Sequence, residues 1–255
     1  VSKVLDINGG PFSDPNNRDA MNLGTSVVKE GEPLGLLYGR VATGIIKTQA
    51  QLEAAREEFS LWTIFDPYLN LGDIAYEYED GFWKEDVIGH ATPDFFGGYT
   101  NTINWNRFTL TALFTFSYGN DLIYQKDVSD SGMSSLANRG TRVLNHYSED
   151  NTSSNRPRSM WGTTYMLSSL NVYDASYLKL KTLSLSYNLP ESICRKVRIK
   201  SASVYGTATN VFTITSYPGP DPEVSDDPTS VIGGGRDVST YPTVKSYTFG
   251  IRINF

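Results

Sequence analysis

The last twelve residues, Val244 to Phe255, read VKSYTFGIRINF. Tyr247, Phe249, Ile251, Ile253 and Phe255 recur at period two, with Ser246, Thr248, Gly250, Arg252 and Asn254 between them. Successive side chains of a strand point to opposite faces, so this stretch suits one face in an apolar medium and the other in water. It is slightly longer than the roughly 9–11 residues with which a tilted strand crosses a bilayer. It also closes on an aromatic, a habit of outer-membrane barrels. An edge strand of a soluble β-sandwich alternates in the same way. Repetition upstream has to decide.

Upstream, RFTLTALFTFSYGN (107–120) repeats the pattern more clearly. Phe108, Leu110, Ala112, Phe114, Phe116 and Tyr118 take one face, and Thr109, Thr111, Thr115 and Ser117 the other, with Leu113 the exception. Phe95, Gly97, Tyr99, Ile103 and Trp105 share a face before it, and a short turn at Asn104–Arg107 joins the two. Trp105 and Tyr118 sit at strand ends, where aromatic girdles meet a membrane interface. Arg198–Phe212 alternates Ala202, Val204, Gly206 and Ala208 with Ser201, Ser203, Thr207 and Thr209. In Tyr177–Asn188 the phase breaks: Leu178 and Leu180 lie on one face, Leu183, Leu185 and Tyr187 on the other. A bulge near Thr182 reconciles them; the alternative is that Lys179 and Lys181 point outward at headgroup level. Thr25–Glu30 and Leu34–Thr43 read as short strands, residues 1–7 as the tail of another, and Gln49–Phe59 as the clear helix, with a short helix expected near Ser134–His146.

The connections carry a second signal. Tight links (31–33, 104–107, 189–197) alternate with long ones (8–23, 44–93, 119–176, 213–243). Outer-membrane barrels sort their connections this way, short on the periplasmic side and long outside, whereas fifty-residue loops are uncommon in compact soluble domains. The reading is therefore all-β: an antiparallel transmembrane β-barrel with short periplasmic turns, long extracellular loops and a periplasmic C-terminus.

Composition agrees. The chain has 255 residues, 13% aromatic with 16 Tyr and 12 Phe, and a formal net charge of −6, which argues against a nucleic-acid backbone as partner. Mean hydropathy is −0.32, as expected where every second strand residue faces a lumen. No apolar run approaches a membrane-spanning helix. Cys194 is the single cysteine, so no intrachain disulfide forms. The chain starts at Val1 without a signal peptide, so the reading is a processed product or a piece of something longer.

Enzyme constellations are thin. His90 and His146 have no partner at zinc-ligand spacing, no Gly-x-Ser-x-Gly elbow or phosphate loop occurs, and the Gly233–Arg236 run reads as flexibility. The expectation is a protein that is not an enzyme. The cluster Glu77, Glu79, Asp80, Glu85 and Asp86 offers hard oxygen ligands, which makes Glu79, Asp80 and Asp86 candidates for calcium. A solvated acidic loop is the favoured reading, since no EF-hand spacing is present, and Asp221, Glu223, Asp226 and Asp227 repeat the question more weakly. Loop aromatics Trp62, Trp83, Tyr147, Trp161 and Tyr165 either stack on substrate or pack beneath their own loops.

Six blocks in this order resemble one family: EGEPLGLLYGRVATGI (30–45), IGHATPDFFGGYTNTINWNRFTL (88–110), SYGNDLIYQ (117–125), ASYLKLKTLSLSYNLP (175–190), TNVFTITSYPGPDPEV (209–224) and the closing YTFGIRINF. They are similar to the C-terminal part of the SusC/RagA family of TonB-dependent outer-membrane transporters of Bacteroidetes. The resemblance implies a plugged barrel of about 22 strands, to which this chain supplies about eight. It implies import of glycan or peptide oligomers, a SusD-like surface lipoprotein, and energy from TonB–ExbB–ExbD through regions upstream of this chain. It implies surroundings of lipid and lipopolysaccharide, and Tyr247, Phe249, Ile251, Ile253 and Phe255 as the face read by the barrel-assembly machinery. Where many relatives carry a calcium-loop-like stretch, this chain has the shorter EYEDGFWKED (77–86), which weakens the calcium reading. A passive porin or adhesin barrel without TonB, and a soluble sugar-binding sandwich, are the alternatives.

Overall fold

The computed structural model describes residues 3–5, 13–14, 17–22, 24–58, 69–132, 138–159, 165–226, 230 and 234–255. The chain divides into two compact units, one of residues 93–120, 174–223 and 241–255, the other of 1–92, 121–173 and 224–240.

The first unit is one antiparallel sheet of five long strands, and their order in the sheet is their order in the chain. The strands are Phe95–Trp105, Phe108–Tyr118, Tyr177–Asn188, Ser201–Thr215 and Ser246–Asn254. At 9 to 15 residues each, all reach the length a tilted strand needs to span a bilayer. Their composition explains their conformation: aromatic, β-branched and Thr-rich sequence fits a pleated surface and resists a helix. The first two strands meet in unbroken register from Phe95↔Tyr118 to Trp105↔Phe108. That register leaves a two-residue turn of Asn106 and Arg107, with Asn106 in the left-handed region (φ 54°) that Asn tolerates well.

The phase break in the third strand is a bulge, as expected from its leucines. Leu113 pairs Thr182 and Phe114 pairs Leu180, so Lys181 is the extra residue. On the other side Leu180 pairs Phe212 and Thr182 pairs Thr209, so the fourth strand answers with its own irregularity at Asn210–Val211, where Asn210 adopts φ 51°. The compensating bulges put Leu178 and Leu180 back on the face of Leu183, Leu185 and Tyr187. The alternative of outward-pointing lysines gives way to this arrangement, since Lys179 and Lys181 both reach Glu223. The tight link between the third and fourth strands carries a short helix, Glu191–Lys196, that buries Cys194.

Five of the eight expected strand segments stand in this sheet. Thr25–Glu30 and Leu34–Thr43 instead contribute Ser26–Lys29 and Leu36–Arg40 to a sheet of the second unit, which Glu85–His90 completes beside Leu36–Arg40. The segment expected as one strand to Thr43 breaks at Val41, and Ala42–Ile45 pairs with Ile74–Tyr76. Of residues 1–7, Val4 is tied to the turn after Lys29: its amide donates to the Glu32 carbonyl at 3.0 Å and its carbonyl accepts from Gly31 at 2.9 Å. The helix of strong formers spans Gln49–Glu58. The helix expected near 134–146 is corrected to Gln125–Gly132 followed by a 3-10 turn at Thr141–Asn145, with 133–137 outside the described residues. The second unit's core packs Ile45, Ile74, Tyr147 and Tyr165, with a second cluster of Val27 and Leu36. Among the described residues no helix is long and apolar enough to cross a membrane.

Candidate functional site

The long sheet has two chemically different faces. Register places Tyr99, Ile103, Phe108, Leu110, Phe114, Leu185, Val204, Phe212, Ile214, Phe249 and Ile251 on one of them. Many are wide open: Ile214 is 63%, Ile251 68% and Phe249 83% exposed. A contiguous apolar band of this extent is the mark of a surface made for something other than water. On the opposite face, hydroxyls pair across strands: Thr102 with Thr111 at 3.3 Å, Ser184 with Thr207 at 3.0 Å and Thr209 with Ser246 at 2.6 Å. Trp105, Phe108 and Tyr187 cluster at the short-turn end, ring centroids 6.2 and 4.7 Å apart, and Phe95 stacks on Tyr118 at the other end. Apolar band, aromatic ends and polar reverse face are what a lipid-exposed barrel wall requires.

The terminal strand occurs as Ser246–Asn254, and Tyr247, Phe249, Ile251 and Ile253 pair with Ala208, Gly206, Val204 and Ala202. Phe249 lies over Gly206, whose added Cβ would meet its ring at 3.2 Å; on the reverse face a Cβ added at Gly250 would fall 2.5 Å from the Tyr205 ring. Each glycine makes room for an aromatic on the neighbouring strand. Phe255 is 83% exposed.

The densest polar geometry of this unit surrounds Lys179, which is fully buried on the hydroxyl face. Its Nζ donates to both Asp221 oxygens at 3.0 and 3.2 Å and to Glu223 Oε2 at 2.5 Å. Tyr177 and Lys181 donate to Glu223 Oε1 at 3.0 and 3.2 Å, while the Thr243 hydroxyl and the Glu223 amide donate to Asp221. Two lysines face two carboxylates, so the cluster is neutral. Burial alone would raise both carboxyls. It is outweighed for Asp221 by Thr243, the Glu223 amide and Lys179, and for Glu223 by Lys179, Tyr177 and Lys181, so both lie below their ordinary values. The network fastens Asp221, Glu223 and Thr243 to the third strand. Asp221 and Glu223, considered above as metal ligands, are spent on lysines, and Asp226 is paired with Arg236 at 2.8 Å; Asp227 lies outside the described residues.

In the second unit, Tyr147 and Tyr165 are core residues, 8% and 7% exposed. Asp73 organises that core: Arg158 grips it with Nε and Nη2 at 2.7 and 3.0 Å, and the Tyr165 hydroxyl donates to it at 2.9 Å. Gly72 (φ 89°) is required here, because a Cβ would fall 2.4 Å from the Tyr147 ring. Burial first, then the Asp73 charge, pushes the Tyr165 phenol far up; burial likewise pushes Tyr76 up to about 12. Trp83 is half-buried beneath the Arg40 guanidinium, 4.9 Å from its ring centroid. Trp62 and Trp161 lie outside the described residues.

Glu79 and Asp80 form part of the tight hairpin of Tyr78–Glu79 and Phe82–Trp83, with Asp80 (φ 52°) and Gly81 at its apex. Asp86 sits away from that apex in the Glu85–His90 strand, where it accepts from Lys29 at 3.2 Å and from the Val87 amide. The Val87 amide, with Lys29, lowers its carboxyl. Among the described residues no three His, Cys, Asp or Glu side chains form a metal-holding group. Glu79 instead borders a polar depression of about 420 Å³ with Glu58, Tyr76, Glu77, Tyr78 and Lys84.

The Lys179 network is what sequence reading missed, since its acidic partners lie 42 and 44 residues away.

No family model matches the chain. A TonB-dependent receptor (P3) of Formosa agariphila is 31% identical over 236 residues, which cover 91% of this chain and 23% of that protein. A second receptor of that organism (P26) is 27% identical and covers the whole chain and 26% of its own length. The solved structure of the RagAB peptide transporter superposes with a TM-score of 0.68 at 25% identity, over 93% of this chain and 24% of that one. The chain thus spans about a quarter of the length of the curated relatives it matches.

Proposed function

The chain belongs with the SusC/RagA-type TonB-dependent receptors of the outer membrane, and on that premise we propose that it forms part of a nutrient importer's barrel. The observation that carries the reading is the five-stranded sheet with one continuous apolar face and one hydroxyl-lined face. In the intact protein the long connections face outward and meet substrate and a SusD-like surface lipoprotein, while the tight links and the C-terminus face the periplasm. The Tyr247–Phe255 face is the signal for the barrel-assembly machinery. TonB, acting on regions beyond this chain, supplies the energy.

The cargo is an oligomer, and a peptide is favoured over a glycan because the structural relative is described as a peptide transporter. Trp83 and the acidic, tyrosine-flanked depression beside Glu79 are this chain's candidates for contact with it. The test is uptake by cells of labelled peptide and oligosaccharide mixtures, with the protein present, deleted, or present without TonB. Peptide uptake lost in both deletions supports the reading. Uptake that persists without TonB favours a passive porin, and loss of oligosaccharide uptake alone reassigns the cargo.

A further inference from the structure

The apolar face is not uniformly filled. Where Gly206 and Ala208 of the fourth strand stand between Leu183 and Leu185 on one side and Tyr247 and Phe249 on the other, small side chains leave an open apolar groove of about 480 Å³. That lies within the roughly 300–1,000 Å³ typical of small-ligand sites. Phe108 and Tyr187 stand at its short-turn end.

That end of the sheet is basic, in a chain whose net charge is −6. The link from 189 to 200 carries Arg195, Lys196, Arg198 and Lys200 against the single acid Glu191, and all four cations are exposed. Arg195 is paired with Glu191 at 2.9 Å, whereas Lys196, Arg198 and Lys200 make no ion pair among the described residues. Arg107, in the two-residue turn, lies beside this link: its carbonyl accepts from the Asn188 amide at 2.9 Å, and its Nη1 is buried without a hydrogen-bond partner. An apolar trough thus ends at a cluster of unpaired cations, the complement of an acyl chain that ends in a phosphate.

We propose that this groove and rim bind an anionic glycerophospholipid of the periplasmic leaflet. One acyl chain lies along Gly206 and Ala208, and the phosphate sits among Arg107, Lys196, Arg198 and Lys200. The inference rests on the reading that the apolar face meets bilayer lipid, and goes beyond it by naming a preferred headgroup and place.

The test is native mass spectrometry of the intact transporter, purified from outer membrane in mild detergent. It is exposed to phosphatidylglycerol and phosphatidylethanolamine of identical acyl chains. Phosphatidylglycerol is expected to be retained at least fivefold over phosphatidylethanolamine. The exposed-link variant K196E/R198E/K200E abolishes that preference, and Ala208→Phe, which fills the groove, lowers retention of both lipids at least fivefold. Equal retention of the two lipids by the unaltered protein, an undiminished preference in the charge-reversed variant, or selective retention of lipopolysaccharide overturns the proposal. A protein that stays monodisperse without detergent overturns the underlying membrane reading instead.

Discussion

Removing the Lys179 ammonium is the sharpest perturbation the structure offers. The side chain has no exposed surface, and it answers Asp221, 2% exposed, and Glu223, 25% exposed. Lys179→Met keeps the length and apolar stem but leaves two carboxylates facing each other. Stranding a buried charge in this way costs about 3–5 kcal/mol. Lys181 stays on Glu223 at 3.2 Å and is 45% exposed, so part of the charge remains answered, which sets the expectation at about 3 kcal/mol. At 1.4 kcal/mol per tenfold, that is roughly 100-fold in the opening equilibrium of the fastened connection. The assay is hydrogen exchange of residues 216–224 in the detergent-solubilised intact protein, corrected for intrinsic rates.

The pH dependence gives a second readout. In the unaltered protein both carboxyls titrate below their ordinary values, so their stabilisation is present at neutral pH. It is lost only as pH falls from about 4.5 through the lowered folded values. In Lys179→Met the ammonium that both carboxylates share is gone, so both groups shift upward, while Thr243 and the Glu223 amide still hold Asp221 and Tyr177 and Lys181 still hold Glu223. The variant's deficit is therefore largest at neutral pH and shrinks as the carboxyls protonate. The triple variant K179M/D221N/E223Q, which carries no buried charge, recovers most of the protection. Exchange within threefold of the unaltered protein at neutral pH, or a deficit that grows on acidification, refutes the assignment of the network as a fastener.

Phe249→Lys places an ammonium on the lipid face at a cost of about 2–4 kcal/mol near mid-membrane and blocks assembly, whereas Thr248→Lys on the reverse face is tolerated. Heat-modifiable electrophoresis of outer-membrane fractions distinguishes them, and a normal Phe249→Lys barrel sinks the facing assignment. Gly250→Val drives a side chain into Tyr205, so it lowers the yield of folded barrel, and Tyr205→Ala added to it restores the yield; absence of that rescue removes the close approach as the reason for glycine there. Burial holds Tyr76 at about 12, so the difference in 295 nm absorbance between the unaltered protein and Tyr76→Phe stays flat through the ordinary phenol range near pH 10. Its raised folded value means that its stabilising contribution is whole below the unfolded value and fades as pH rises toward 12. A tyrosinate signal from this residue near pH 10 contradicts its burial.

What could be read without coordinates was what depends on neighbours in sequence. The alternation in 244–255 and 107–120 dictates which face each side chain takes, and Leu178, Leu180, Leu183 and Leu185 show a phase change that points to a bulge near Thr182 or to outward lysines; pairing with both neighbouring strands settles it as a bulge at Lys181. The helix at Gln125–Gly132 escaped notice because Ser, Asp and Gly dilute its helical signal; what holds it is distant, with Asp127 paired to Arg156 at 2.6 Å and Asp130 close to Arg139 at 3.6 Å. Tyr147 and Tyr165 were equally legible as ligand stackers or loop core, since the choice depends on Ile45, Ile74 and Asp73, roughly seventy to a hundred and twenty residues earlier.

Lys179 shows the same limit from the other side. A lysine in a strand, seen alone, belongs at a water interface, because an isolated buried ammonium is prohibitively costly. Only the approach of Asp221 and Glu223, with Thr243 on Asp221, makes burial favourable. The two blocks that carry this lysine and these acids, YLKLKTLSLSYNLP and SYPGPDPEV, are thus two halves of one structural device. A charge placed on the hydroxyl face of a strand, with its counter-charges on the connection that follows the next strand, fixes where that connection lies.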